Sequence, residues 1–221
     1  MTEEVWNYTL TFRSPMSIFS GLAVAGLVDR MVIRDNQSLP YVPGSSVKGR
    51  WRFFAERWLR SLLAAQVHPP GLSLHQESDP LCKNWGHACT VCRVFGNSSI
   101  ASRLWVGSAR LDDALKHLFR DVLDRNKNPV IHPDTELRPG IALSRMRRTA
   151  LEDHLFFDEV LPRTVAFTGT VLIKQFKDFR PEEERFLVET AKMVDRLGAR
   201  KSLGRGELEG GIAIDLPGGV S

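Results

Sequence analysis

Apolar and polar residues partly alternate from position 3 to 12, with Val5, Tyr8, Leu10 and Phe12 β-prone, and this predicts a first strand. The period is then lost over residues 14–44, a long loop with one short apolar piece, Met31-Val32-Ile33. Ser45 and Ser46 are N-cap candidates for a helix running to about Ala64, because Val47, Trp51, Phe54, Trp58 and Leu62 recur at spacings of three and four. Residues 68–79 carry Pro69, Pro70 and Gly71 without periodicity and read as a surface excursion. Residues 103–111 read as a strand, and residues 112–134 are polar and assign no element. Residues 138–161 fit a hairpin with a basic tip, and residues 164–175 a strand with Val165, Phe167, Val171 and Ile173 on alternating positions. Pro181 opens a second helix with Glu182, Glu183 and Glu184 in its first turn, where acids suit the helix dipole. Leu187, Ala191, Val194 and Leu197 form its apolar face and Gly198 closes it; residues 207–216 make the last strand.

The order β-α-β-β-α-β defines an α+β fold of the split βαβ, ferredoxin-like kind, which is also the plan of the RNA-recognition motif. Residues 1–221 are read as a single domain with insertions at 13–44, 66–100 and 112–160. The longest apolar run, residues 22–28, is too short to span a bilayer. The acidic N-terminus leads into no apolar signal core, so a cytoplasmic protein without a membrane partner is expected.

Net charge is only +4, but its distribution is uneven. Residues 45–60, 138–148 and 196–205 each carry a local net +4, which leaves the rest of the chain net acidic. Three such clusters beside glycine-rich turns point to a polyanionic partner. In Pro43-Gly44-Ser45-Ser46-Val47-Lys48-Gly49-Arg50, hydroxyls and backbone N–H groups gather at a helix start with Lys48 and Arg50 one turn in, an arrangement suited to anions. It is not a phosphate-binding Walker loop, since Gly49 is followed by Arg50 and Trp51. Gly198-Ala199-Arg200-Lys201-Ser202-Leu203-Gly204-Arg205-Gly206 links the second helix to the last strand and can form a backbone nest for phosphate. In the expected fold both segments approach one edge of the sheet.

The three cysteines, an odd number, argue against a disulfide framework and for a metal site. Cys89 and Cys92 have the C-x-x-C spacing of a tetrahedral zinc site, and Cys82 supplies a third thiolate. The fourth ligand falls to His75 or His87; His75 is preferred, because His87 lies only two residues from Cys89. With no catalytic base evident beside it, the zinc would be structural. A lone loop acid such as Asp29 is by itself an ordinary turn residue or salt-bridge partner.

Taken together, Leu39-Pro40-Tyr41-Val42 with the glycine–serine turn through Arg50, Cys92-Arg93-Val94-Phe95-Gly96, Leu155-Phe156-Phe157-Asp158-Glu159-Val160-Leu161-Pro162 and Lys201 to Gly206 make the chain resemble the RAMP (repeat-associated mysterious protein) superfamily of CRISPR effector subunits. Within that family it is most similar to the repeated backbone subunit of type III complexes. The resemblance implies a filament subunit with guide CRISPR RNA, target RNA, further copies of itself and other effector subunits as partners, acting in antiviral defence. It implies a palm of RNA-recognition-motif fold, and a thumb hairpin, around Met146, that wedges between bases. It implies that Ser45, Ser46, Lys48, Arg50, Arg200, Lys201, Gly204 and Arg205 hold RNA, together with Arg145, Arg147 and Arg148 of the thumb. It further implies endoribonuclease activity: Asp29, with a divalent cation such as magnesium or manganese, supports attack of the target's 2′-hydroxyl on the adjacent phosphate. The alternative is a non-catalytic guide-RNA scaffold or capping subunit.

Overall fold

The structure, a computed structural model, describes residues 3–75, 82–125, 134–144, 146–162, 165–174 and 179–217. Strand β1 (Glu3–Phe12) buries Trp6, Tyr8, Leu10 and Phe12 on one face. The expected strand is present, but Trp6 belongs to the core in place of Val5, which is 52% exposed on the other face. Period two requires this, because Trp6 shares the parity of Tyr8, Leu10 and Phe12. Strand β7 (Val165–Lys174) pairs antiparallel along all of β1, with Phe167 opposite Leu10, and β8 (Leu208–Asp215) pairs antiparallel on its other side.

The strand expected over residues 103–111 is two short ones, β3 (Leu104–Val106) and β4 (Ala109–Leu111), both antiparallel to β7. The interruption falls at Gly107, whose carbonyl accepts the Tyr8 hydroxyl at 2.6 Å and whose N–H donates to Thr170 at 2.8 Å. A further strand, β2 (Tyr41–Val42), adds to β4, so the sheet runs β2-β4-β7-β1-β8 with β3 also beside β7.

Two helices cover the buried face. Helix α1 (Gly44–Ala64) buries Val47, Trp51, Ala55 and Leu59, a strict every-fourth-residue stripe. The sequence pattern had put Phe54, Trp58 and Leu62 in that stripe; Phe54 and Trp58 instead lie half-buried at its edge. The centre is shifted because α1 also meets α4 (Pro181–Lys192), where Trp51 Nε1 donates to Thr190 Oγ1 at 3.0 Å and the Trp58 and Phe186 rings sit 5.8 Å apart. Each large side chain fully buried here contributes roughly 1.5–3 kcal/mol. Helix α4 ends at Lys192, earlier than the pattern suggested, although Val194 and Leu197 beyond it remain buried. Helix α2 (Thr90–Phe95) lies in the cysteine-bearing insertion, and α3 (Asp113–Arg125) occupies part of the segment to which the pattern assigned no element.

Strands β5 (Glu136–Ser144) and β6 (Thr149–Val160) form a separate two-stranded ribbon, the expected hairpin. Its outer half exposes Ile141, Leu143, Leu155 and, at the tip, Met146. Its root is tied to the loop before α1. The buried Glu159 carboxylate accepts from the Val32 N–H (2.7 Å), Thr135 Oγ1 (2.7 Å) and Arg34 (3.1 Å), and Met16 and Leu161 exchange backbone hydrogen bonds. Among the described residues no helix is long and apolar enough to cross a membrane.

Candidate nucleic-acid interface

The two glycine-rich segments meet. Ser45, Ser46, Gly49 and Arg50 of α1 face Gly198, Ala199 and Lys201 across an open cleft of about 490 Å³, with Phe19 and Phe53 at its sides. Close backbone approach explains Gly44 and Gly206. A Cβ on Gly44 would sit 2.0 Å from the Val106 carbonyl oxygen, and one on Gly206 1.8 Å from that of Leu197. Gly206 also has φ +71°, a left-handed conformation that glycine adopts without strain. The N-cap of α1 is Pro43, not a serine; Ser45 and Ser46 lie inside the first turn, which leaves their hydroxyls off capping duty.

The predicted basic residues divide. The Arg50 guanidinium stacks over Phe53 and Phe54 (4.9 and 4.6 Å) and donates to the Arg196 carbonyl and to Asp195, each at 3.1 Å. Lys201 Nζ donates to the Gly198 carbonyl at 2.8 Å at the cleft edge. Lys48 Nζ turns to Ser102 Oγ (2.7 Å) and the Leu104 carbonyl (2.8 Å), and burial lowers its pKa, with Arg52 adding to the effect. Gly204 has open space around it. Arg147 and Arg148 are exposed at the ribbon tip; Arg145 lies outside the described residues.

Asp29 stands at the root of the ribbon. After a tight turn closed by Val24 and Val28, Asp29 and Arg30 run alongside β6. Asp29 N–H donates to the Phe157 carbonyl at 3.0 Å, and Phe157 N–H donates back to Asp29 Oδ2 at 2.7 Å. The residue is exposed, so its carboxylate is oriented by backbone at one oxygen and open to solvent.

One residue along β6, Asp158 is fully buried beneath three arginines that sequence reasoning did not group. Arg205 Nη1 donates to Asp158 Oδ2 at 2.9 Å and is itself almost wholly buried. Arg200 Nε lies 3.4 Å from the same oxygen and Arg30 Nη1 3.6 Å from Oδ1. Arg30 and Arg200 both stack on Phe156, at 4.8 and 4.5 Å. The available signal was the Asp158-Glu159 pair set between apolar Leu155-Phe156-Phe157 and Val160-Leu161, since buried acids there require partners.

The metal-ligand quartet assembles as expected. His75, Cys82, Cys89 and Cys92 bring one donor atom each within 4.8 Å of one another. His75 Nδ1 is 3.3 Å from Cys89 Sγ and 3.6 Å from Cys92 Sγ. Tetrahedral zinc with bonds of about 2.3 Å separates its ligands by about 3.7 Å, so this donor set could hold zinc. Cys89 caps α2, its sulfur accepting the Cys92 N–H at 3.4 Å, and the Cys82 sulfur accepts the Cys89 N–H at 3.4 Å. Burial pushes the Cys89 thiol up to about 12. Burial opposes ionisation of Cys92 too, but hydrogen bonds from Asn97, Cys82 and Cys89 outweigh it and lower that thiol. His87 lines the same pocket outside the quartet.

The RAMP superfamily model matches residues 9–209, which take in the cleft, the Asp29 loop, the quartet and the ribbon. The chain belongs to the RAMP superfamily. RAMP proteins are RNA-binding subunits of CRISPR ribonucleoprotein complexes, and the cleft between the two glycine-rich segments belongs to a protein of that kind. Comparison with curated proteins finds no match.

Proposed function

We propose that this RAMP protein is the repeated backbone subunit of a type III CRISPR effector complex, binding guide RNA and cleaving complementary target RNA at regular intervals. In this reading the main sheet is a ferredoxin-like palm: β1, β3 with β4, β7 and β8 are its four strands, and α1 and α4 its two helices. The ribbon is the thumb that splays a target nucleotide. The observation that carries the reading is the placement of Asp29, exposed and backbone-clamped to Phe157 where the ribbon leaves the palm.

Guide phosphates lie in the cleft on Ser45, Ser46, Arg50 and Lys201. Such contacts hold backbone and not base edges, which suits guides of any sequence. At the splayed nucleotide, Asp29 orients the ribose 2′-hydroxyl. The O2′–P bond forms as P–O5′ breaks, O2′ gives up its proton and O5′ gains one, leaving a 2′,3′-cyclic phosphate and a 5′-hydroxyl. Unstacking lets the ribose reach in-line geometry. A divalent ion held by one carboxylate and substrate phosphates would supply charge neutralisation. The His75, Cys82, Cys89 and Cys92 site is closed by four protein ligands, which suits structural zinc.

The test is a guide-loaded complex given complementary RNA. The expected products are evenly spaced fragments with cyclic phosphate ends, and Asp29→Ala abolishes them while RNA binding persists. Undiminished cleavage by the variant removes Asp29 from the chemistry; cleavage by neither protein leaves the non-catalytic scaffold.

A further inference from the structure

The main sheet has one face under α1 and α4 and a second face whose central rows are open to solvent. On that second face Trp105 of β3, Leu172 of β7 and Val5 of β1 stand side by side, because Trp105 and Val5 both pair with Leu172. Trp105 is 58% exposed and Val5 52%, with Leu172 half-buried between them. Directly paired residues share a face, so the neighbouring rows follow from the register. Glu3 pairs with Lys174 on one side of the apolar row and Asn7 with Thr170 on the other, and all four are exposed. The two inner strands, β1 and β7, therefore present a charge pair, an apolar pair and a hydrogen-bonding pair in succession. Cation and anion balance in these rows, so a polyanion is not the matching ligand. The basic cleft is built elsewhere, from α1 and the loop before β8.

We propose that this open face is a docking surface for a second copy of the same chain. A two-fold axis parallel to the strands, between β1 and β7, lays β1 of each copy over β7 of the other and keeps every row at its own level. Lys174 of one copy then meets Glu3 of the other, Leu172 meets Val5 and Thr170 meets Asn7, and each contact is made twice. Trp105, one strand further out, reaches the end of the other copy's β8, where Leu216 is 37% exposed. A two-fold interface must be self-complementary, and the charge order across β1 and β7 supplies that match. Aligned sheets pack about 10 Å apart at an angle of about 30°, so the rows nearest the axis carry the contact. Four strands about 4.8 Å apart and about ten residues long at 3.3 Å each offer roughly 600 Å² per copy, below the roughly 800 Å² of a standard stable interface. The dimer is therefore weak and concentration-dependent. It closes on itself, whereas a head-to-tail contact extends a filament. The surface stands independently of the proposed RNA chemistry.

The experiment is sedimentation equilibrium of the RNA-free full chain over about 1–300 μM. The expected result is a monomer–dimer equilibrium with a dissociation constant of about 10–100 μM. Trp105→Ala, which truncates the largest exposed side chain of the face, is expected to weaken the dimer about tenfold or more. Glu3→Lys sets like charges against each other at both symmetric positions and is expected to weaken it about tenfold as well. The charge-swapped double variant Glu3→Lys/Lys174→Glu is expected to return to within about threefold of the unmodified protein, because opposite charges meet again. That restoration does not depend on how well Trp105→Ala folds, and melting temperatures near that of the unmodified protein are expected for the charge variants, since both side chains are exposed. A monomer at every concentration overturns the proposal. So does a dimer that ignores both Trp105→Ala and Glu3→Lys, which places the contact on another surface. A double variant that stays as dissociated as Glu3→Lys overturns the two-fold match.

Discussion

Asp29 and Phe157 exchange two hydrogen bonds, one from the Asp29 N–H to the Phe157 carbonyl at 3.0 Å and one from the Phe157 N–H to the Asp29 carboxylate at 2.7 Å. Loop and ribbon are thereby registered to each other by backbone. Replacing Asp29 with Asn keeps the shape and an oxygen acceptor for Phe157. The expected outcome is a fall in target cleavage of about 10²- to 10⁴-fold, the usual weight of a positioned proton-handling group. Guide and target affinity stay within twofold. Single-turnover cleavage and filter binding on the same complex check both halves.

Asp158 is expected to matter for folding. Asp158→Asn leaves Arg205 buried against a neutral amide, and breaking a buried pair in this way costs about 3–5 kcal/mol. For a chain of this size that is a fall in melting temperature of roughly 6–20 °C. Thermal unfolding without RNA measures it; a fall below about 2 °C would show that the arginines re-solvate without penalty.

One zinc per chain is expected from the His75, Cys82, Cys89 and Cys92 quartet, and Cys92→Ser should abolish it. Uptake displaces thiol protons, so affinity weakens as pH falls. Metal analysis of the purified protein, followed by a chelator titration at pH 8 and pH 6, checks stoichiometry and sign. Removal of the ion should loosen the segment around α2, seen as faster amide exchange there, while β1 and β7 keep their protection.

Gly206→Ala is expected to destabilise the protein by at least the 1–3 kcal/mol typical of overpacking, since the new Cβ meets the Leu197 carbonyl and φ is +71°. Gly204→Ala, with open space but φ +78°, should cost less. Urea unfolding of the pair separates steric collision from conformational strain.

Local patterns carried the fold furthest. The alternation of β1, the aromatic spacing of α1 and the acid-rich start of α4 are each properties of neighbouring residues, and each element is present. Their details moved where two surfaces compete: Trp58 looked central from spacing, yet Phe186 of α4 holds it at the edge. Helix α3 was legible as well, since Leu115, Leu118, Phe119 and Val122 recur at helical spacing and Leu115 and Phe119 pack on the core; the polar residues around them masked that stripe. The quartet was legible because three of its members share one short segment. The Asp158 cluster was not, since positions 30, 158, 200 and 205 meet only after the sheet, the ribbon and the last loop are in place.

An isolated two-stranded ribbon is marginal in water, and this one carries its apolar tip away from any core. From Thr149 to Phe157, at about 3.3 Å per residue, its reach is roughly 26 Å. That turns the ribbon into a ruler whose zero mark is Asp29. Inserting one cross-strand pair would lengthen the ruler by about 3.3 Å and leave the zero mark where it is. The distance between the tip and Asp29 is therefore set by strand length, and under the proposed function re-graduating it would move the cut relative to the wedge without altering the cleft.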